Sequence, residues 1–232
     1  MNSSRVISYS SLTVKRLRLS LFFLALLIAG CSRTTLVVGG KVPTEATARQ
    51  VLLAGLDSSA SNRQLLPLET GDVATLSLVL DQDTAWMTIW KIDSDVAEIF
   101  PGPYPDSDED LLREITPHLA MLSGRDNTYL QKLLVAMAAR AAKCSGRCVI
   151  FIATDGFCEG MSVDDHKLMR SAIQSLADNK HVVGVFVEGV NPVNMAAMRT
   201  DFSPVASKLQ FLPAGKIDSG LVSDLLKAGG AN

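Results

Sequence analysis

No apolar run in this 232-residue chain reaches the roughly 20 residues that a bilayer-spanning helix needs. The longest, "LSLFFLALLI" from Leu19 to Ile28, is ten residues long. Internal repeats and long low-complexity segments are missing as well, so nothing points away from an ordinary globular domain. Positive charge is not in surplus: formal net charge is −2 with 22 basic and 24 acidic residues, which leaves no electrostatic footprint for nucleic acid. Histidine is scarce, with three in the chain, and none stands within the polar motifs described below. That scarcity turns attention to oxygen ligands.

What is present begins with an export signal. Lys15, Arg16 and Arg18 precede the ten-residue apolar core, the order expected of a secretory leader. Ile28-Ala29-Gly30-Cys31 follows and resembles the bacterial lipobox, in which cleavage precedes a cysteine that receives diacylglycerol. The resemblance implies a signal peptide over residues 1–30, an acylated Cys31, and a tether over 31–47 that holds a domain at a membrane surface of the bacterial cell envelope. The anchor would face the periplasm or the exterior, and Ser32 permits outer-membrane sorting. Removing the leader takes away Arg5, Lys15, Arg16 and Arg18, so the mature charge becomes 18 − 24 = −6. About 200 residues remain, enough for one domain with a real core.

An oxidising compartment raises the question of disulfides among Cys144, Cys148 and Cys158. If "CVIFIAT" is a strand, Cys158 lies roughly 20 Å from Cys148. A bridge allows only about 7 Å between Cα atoms. The expected pair is therefore Cys144 with Cys148, and Cys158 is left over.

From about residue 48 the chain alternates strands with helices. "RQVLLAGL", ending at Asp57, and "RCVIFIAT" are apolar without period-two alternation, as in strands covered on both faces. A helix is expected from the Gly71-Asp72 start signal to Asp81. Thr84 to Ile92 and Val96 to Phe100 form a hairpin-like pair, with "PGPYP" as loop. Helices follow from Asp108 to about Leu122, with Pro117 as a kink, and over 129–142. Ser162 to Asp165 is a capping-box start, and its helix should bury Leu168, Met169, Ala172, Ile173 and Leu176. "VVGVFVEGV", a helical patch near Val193 to Arg199, "LQFLP" and a last helix from Asp218 to Lys227 complete the order. The predicted fold is α/β: a doubly wound, mostly parallel sheet with helices on both faces, over residues 48–228. Ligands of such sheets bind outside the carboxyl ends of the strands.

Asp57, Ser59 and Ser61 lie just past one such end, and Asp155 past another. Thr128 enters the same edge from a helix start. Two carboxylates and three hydroxyls are hard ligands, suited to Mg²⁺, Mn²⁺ or Ca²⁺. Asp57-x-Ser59-x-Ser61, then Thr128, then Thr154-Asp155-Gly156, resemble the metal-ion-dependent adhesion site of von Willebrand factor type A domains. The resemblance implies that Ser59 and Ser61 bind the cation directly, that Thr128 does so in one state, and that Asp57 and Asp155 bind directly or through water. It further implies that an open metal position accepts an acidic side chain of a partner protein, and that the chain is not an enzyme. Two departures stand against it: the short segment from Asn62 to Asp72 contains Pro67, and Gly124 puts the threonine loop off pattern.

Rival chemistry rests on fewer residues. Gly156-Phe157-Cys158-Glu159-Gly160 fits a cysteine nucleophile elbow, which would make the chain a cell-envelope hydrolase. Its histidine would have to be His166 or His181, and neither occupies a late loop. A phosphatase of the haloacid dehalogenase type needs a second aspartate where Ser59 stands. A metal-free scaffold is the remaining alternative. His118 reads as a surface residue, and Phe157 and Glu159 would lie on the rim of the metal edge.

Overall fold

The computed structural model describes residues 43–92, 95–103, 107–120, 128–156, 158 and 161–228. The leader, Cys31 and most of the tether, together with Phe157, Glu159 and Gly124, lie outside the described residues. Among the described residues six strands form one sheet in the order β3-β2-β1-β4-β5-β6. They are β1 (Gln50–Asp57), β2 (Ala85–Ile92), β3 (Val96–Pro103), β4 (Arg147–Ala153), β5 (Val182–Glu188) and β6 (Leu209–Leu212). All pairings are parallel except β2 with β3. The helices are α1 (Leu66–Ser77), α2 (Asp108–Ala120), α3 (Leu130–Ala141), α4 (Val163–Asp178), α5 (Met195–Asp201) and α6 (Ser219–Lys227), with a 3₁₀ turn over Ser203–Lys208.

Alternation along β1 divides the core. Val51 and Leu53 face a layer that includes Leu133, Leu134, Met137, Met169 and Ile173 from α3 and α4. Leu52, Ala54 and Leu56 face the other layer, which includes Val73 and Leu76 of α1, Leu111 and Ile115 of α2, and Val222 and Leu226 of α6. Both faces of β1 are thus sealed, which is why its sequence has no polar alternation. The chain runs outward through β2 and β3, then returns to build β4, β5 and β6 on the other side. β1 and β4 are therefore the pair at which strand order reverses, and their carboxyl ends open a crevice there.

Several sequence expectations need correction. The first helix starts at Leu66, six residues before Asp72, with Pro67 in its opening turn and Glu69 as a first-turn acid. Proline lacks the N–H that a first turn leaves unpaired anyway, so here it begins a helix and does not break one. Pro101–Pro103 extend β3 and pair with Trp86–Thr88, where a loop was expected. β3 is an edge strand, which tolerates proline. Leu168 is 47% exposed, because the buried stripe of α4 is Met169, Ala172, Ile173 and Leu176. The capping box at the start of α4 is formed by Ser162 and Asp165. Cys144 and Cys148 are free thiols. The two thiols lie near enough to influence each other's proton affinity, so the partners expected to pair do meet. Among the described residues no helix is long and apolar enough to cross a membrane.

Candidate metal centre

Asp57 is the last residue of β1 and wholly buried. The chain beyond it is fixed at both ends. The Ser58 N–H and hydroxyl both donate to the carbonyl of Ile92 at 2.8 Å, and Asn62 Nδ2 donates to the carbonyl of Asp57 at 2.8 Å. Between these anchors the loop turns Ser59 back on Asp57, whose Oδ1 accepts the Ser59 N–H at 2.9 Å. Ser59 Oγ and Ser61 Oγ lie 3.2 Å apart. Ser59 is buried, whereas Ser61 is exposed at the mouth.

Two other segments reach the same carboxylate. Thr128, just before α3, donates to Oδ1 and Oδ2 of Asp57 at 3.3 and 3.2 Å. Thr154, just past β4, donates to Oδ2 at 2.8 Å and accepts the Gly156 N–H at 3.1 Å. Gly156 has a φ of +74°, a conformation that lets the chain turn sharply after Asp155. Asp155 is itself buried, and its carbonyl accepts the Asn191 N–H at 2.9 Å and Asn194 Nδ2 at 3.1 Å. Residues 71 and 97 positions away from Asp57 thus converge on it.

Burial pushes the Asp57 carboxyl above its ordinary value. Hydrogen bonds from Ser59 and Thr154 pull it back, and the charge of Asp155 pushes it up again. Among the described residues no cationic side chain pairs with Asp57. The donor set is therefore two buried carboxylates and hydroxyls, all hard oxygen, with no counter-charge for Asp57 among the described residues. Those oxygens fit a divalent cation of the Mg²⁺ class. Among the described residues no three of His, Cys, Asp and Glu converge as a metal site, so any cation here would depend on the serine and threonine oxygens.

The rival elbow does not assemble. Cys158 is half-buried, and burial together with the charges of Asp57, Asp155 and Asp201 pushes its thiol up to about 12. A thiol so held is a poor nucleophile at neutral pH. Among the described residues no hydrogen bond joins it to a histidine; His166 Nδ1 lies 3.9 Å from Asp201 Oδ2. Both His166 and Asp201 line an open cavity of about 580 Å³, which Cys158 does not line. His118 is exposed.

Sequence reasoning missed two things at this edge. Thr154 was seen only as a neighbour of Asp155, yet its hydroxyl makes the shortest side-chain bond to Asp57. A second group of buried acids, Glu69, Asp72 and Glu188, also went unnoticed. The available signal was Glu188, a lone acid closing the apolar run "VVGVFVE" at the same sheet edge as Asp57.

No protein-family model matches the chain, and no curated protein matches it. Solved structures do. A von Willebrand factor type A protein from Catenulispora acidiphila is 15% identical with a TM-score of 0.51, covering 78% of this chain and 42% of its own. Proximal thread matrix protein 1 from the mussel byssus, with a zinc-occupied MIDAS motif, is 15% identical with a TM-score of 0.53, covering 79% and 46%. The manganese-loaded TRAP protein of Plasmodium vivax is 15% identical with a TM-score of 0.51, covering 79% and 73%. The chain spans under half the length of the first two. At such identities the likeness is one of fold, and the fold is von Willebrand factor A-like.

Proposed function

We propose that this chain is a lipid-anchored protein of the bacterial cell envelope whose domain holds a divalent cation at Asp57, Ser59, Ser61, Thr128 and Asp155, and through it an acidic side chain of a partner protein. Mg²⁺ is the first choice, with Mn²⁺ or Ca²⁺ as alternatives. The observation that carries the reading is the convergence on Asp57: one wholly buried carboxylate, served by Ser59, Thr128 and Thr154 at the reversal point of the sheet. Neighbours of the same fold include one with a zinc-occupied MIDAS motif and one loaded with manganese, which supports the assignment.

The division of labour follows from the chemistry. Asp57 and Asp155 supply two negative charges that balance a divalent ion. Ser59, Ser61 and Thr128 supply neutral oxygens, so charge is not over-compensated. Bound cation supplies an electrophilic position for an incoming carboxylate. Ser61, exposed at the mouth, stands where such a group would arrive. No catalytic step is assigned, and the raised Cys158 thiol supports that choice.

One observation favours a second reading. The Asp57 carboxylate is already satisfied by hydroxyls and an N–H, as a metal-free scaffold would require. Thermal unfolding in EDTA and in Mg²⁺, Mn²⁺ or Ca²⁺ separates the two, since a ligand of the folded state raises stability once its concentration exceeds Kd. A metal-dependent rise that is lost in Asp57→Ala and Ser59→Ala is expected. No rise in the wild type leaves the scaffold, and a rise that survives both substitutions means the ligands are others. For the anchor, Cys31→Ala should move the chain from the membrane to the soluble fraction.

A further inference from the structure

Over the ends of β4 and β5, beside the metal edge, a second set of acids is shut away from water. Glu69 and Asp72 come from α1 and Glu188 from the end of β5; Glu69 and Glu188 are wholly buried. Gly189, with a φ of +84°, makes the approach possible, since a Cβ there would stand 2.6 Å from Glu69 Oε1. Asn62 Nδ2 donates to Glu69 Oε2 at 2.6 Å as well as to the carbonyl of Asp57. The segment between β6 and α6 closes the far side. The Gly215 N–H donates to Glu188 Oε1, Lys216 adds a second N–H, and the Ile217 N–H reaches Asp72 Oδ2 at 3.4 Å.

Among the described residues, three of the buried oxygens here, Asn62 Oδ1, Glu69 Oε1 and Glu188 Oε2, find no N–H or O–H donor within hydrogen-bond distance. Glu188, Asp57 and Asp155 bring negative charge to bear on Glu69, and Asp72 does the same to Glu188. Among the described residues no ion pair joins Glu69, Asp72 or Glu188 to a cationic side chain. A buried carboxyl without such a partner is neutralised by a proton.

We propose that Glu69 and Glu188, with Asp72 beside them, form a proton-held latch that joins α1 to the end of β5 and to residues 215–217, and that the latch opens when the two glutamates ionise. Burial pushes Glu69 up to about 8, and the charges of Glu188, Asp57 and Asp155 push it further the same way against the Asn62 N–H. Burial also holds Glu188 at about 8, where a hydrogen bond with Asp72 favours its protonated form. At neutral pH both acids keep their protons, and like charges do not meet. Once ionised, Glu188 is held more firmly by the Gly215 and Lys216 N–H groups, because a carboxylate accepts them better than an acid does. Repulsion therefore acts across the gap between that unit and the α1 carboxylates. The long Ile217 to Asp72 bond spans this gap and is the first to break. This inference goes beyond the metal reading and does not depend on it.

The test uses the purified chain in EDTA, so that no cation alters the neighbouring charges. Amide chemical shifts of Gly215 and Ile217, and the side-chain amide of Asn62, are followed by NMR from about pH 6 to about pH 10. A common inflection near pH 8 is expected. Amide exchange in the first turns of α1, corrected for its intrinsic pH dependence, should accelerate at least about tenfold across that inflection. Glu188→Gln and Glu69→Gln each mimic the neutral acid and should weaken or shift the inflection while keeping α1 protected. An inflection only in the ordinary carboxyl range, or α1 protection unchanged between the two pH limits in the wild type, overturns the latch. So does an unaltered inflection in either variant that folds.

Discussion

Two groups of buried acids share one sheet edge, and they answer the cost of burial in different ways. Around Asp57 the answer is hydrogen-bond donors: the Ser59 N–H and the Thr128 and Thr154 hydroxyls all point at one carboxylate, and the exposed Ser61 keeps the mouth open. Around Glu69 and Glu188 donors are too few, three oxygens stay unpartnered, and the carboxyls are pushed up to about 8. Donors around Asp57 oppose the rise that burial causes there; their shortage around Glu69 and Glu188 leaves acids pushed further up. The difference lies in the residues supplied by neighbouring segments, because Asp57 and Glu188 both end strands of the same sheet.

The largest break in this comparison comes from Gly189. Gly189→Val must give up a φ of +84° and displace Glu69, so denaturant unfolding should show a loss of about 3 kcal/mol. Metal-dependent stabilisation should survive in whatever folded protein remains. Next comes the metal itself. At a hundredfold over Kd, Mg²⁺ should stabilise the wild type by about 2.7 kcal/mol and leave Asp57→Ala unchanged, as read by thermal unfolding with and without EDTA.

Stability against pH separates the groups further. Glu69 and Glu188 are raised from 4.5 to about 8, so between those values the folded chain binds more protons than the unfolded one. Their contribution is complete below about pH 4.5 and is lost as pH rises to about 8. Glu69→Gln or Glu188→Gln should each flatten that fall by up to about 1.4 kcal/mol per pH unit in denaturant titrations. Thr128→Val should cost about 1 kcal/mol and also weaken the metal response, since it removes one donor from Asp57 and one candidate ligand. Val193→Ser, at an 86% exposed position, should change stability by less than about 0.5 kcal/mol, and a partner-binding defect without loss of stability would mark the loop beside Asp155 as part of a docking surface.

Much of the fold is legible in the chain because each element keeps its own period. The stripe Leu130, Leu133, Leu134, Met137 and Ala141 predicts the buried face of α3, and the runs ending at Asp57 and Ala153 announce strands sealed on both sides. Where local signals conflict, the reading slips. Pro67 marked the segment before Asp72 as a departure and Gly71-Asp72 looked like a start, yet proline suits a first turn and Gly71 falls on the outer face of α1. Pro101 and Pro103 looked like loop residues because nothing local reveals that their strand is at an edge.

The candidate site divides along the same line. Asp57-x-Ser59-x-Ser61 and Thr154-Asp155-Gly156 are short motifs at the ends of recognisable strands, so the sequence alone determined their residue types, their order and the edge on which they lie. Thr128 was harder, because its approach to Asp57 depends on how α3 packs over β1 across 71 residues. The acids of the latch carry no motif at all. In the sequence Glu69 precedes the expected helix, Asp72 stands in its start signal and Glu188 ends a strand, and only packing brings them together with few donors. Hydrophobic period and strand-end position are local properties, and the sequence states them. Burial, proton affinity and the meeting of like charges belong to the space between segments, and the tertiary structure alone decided them.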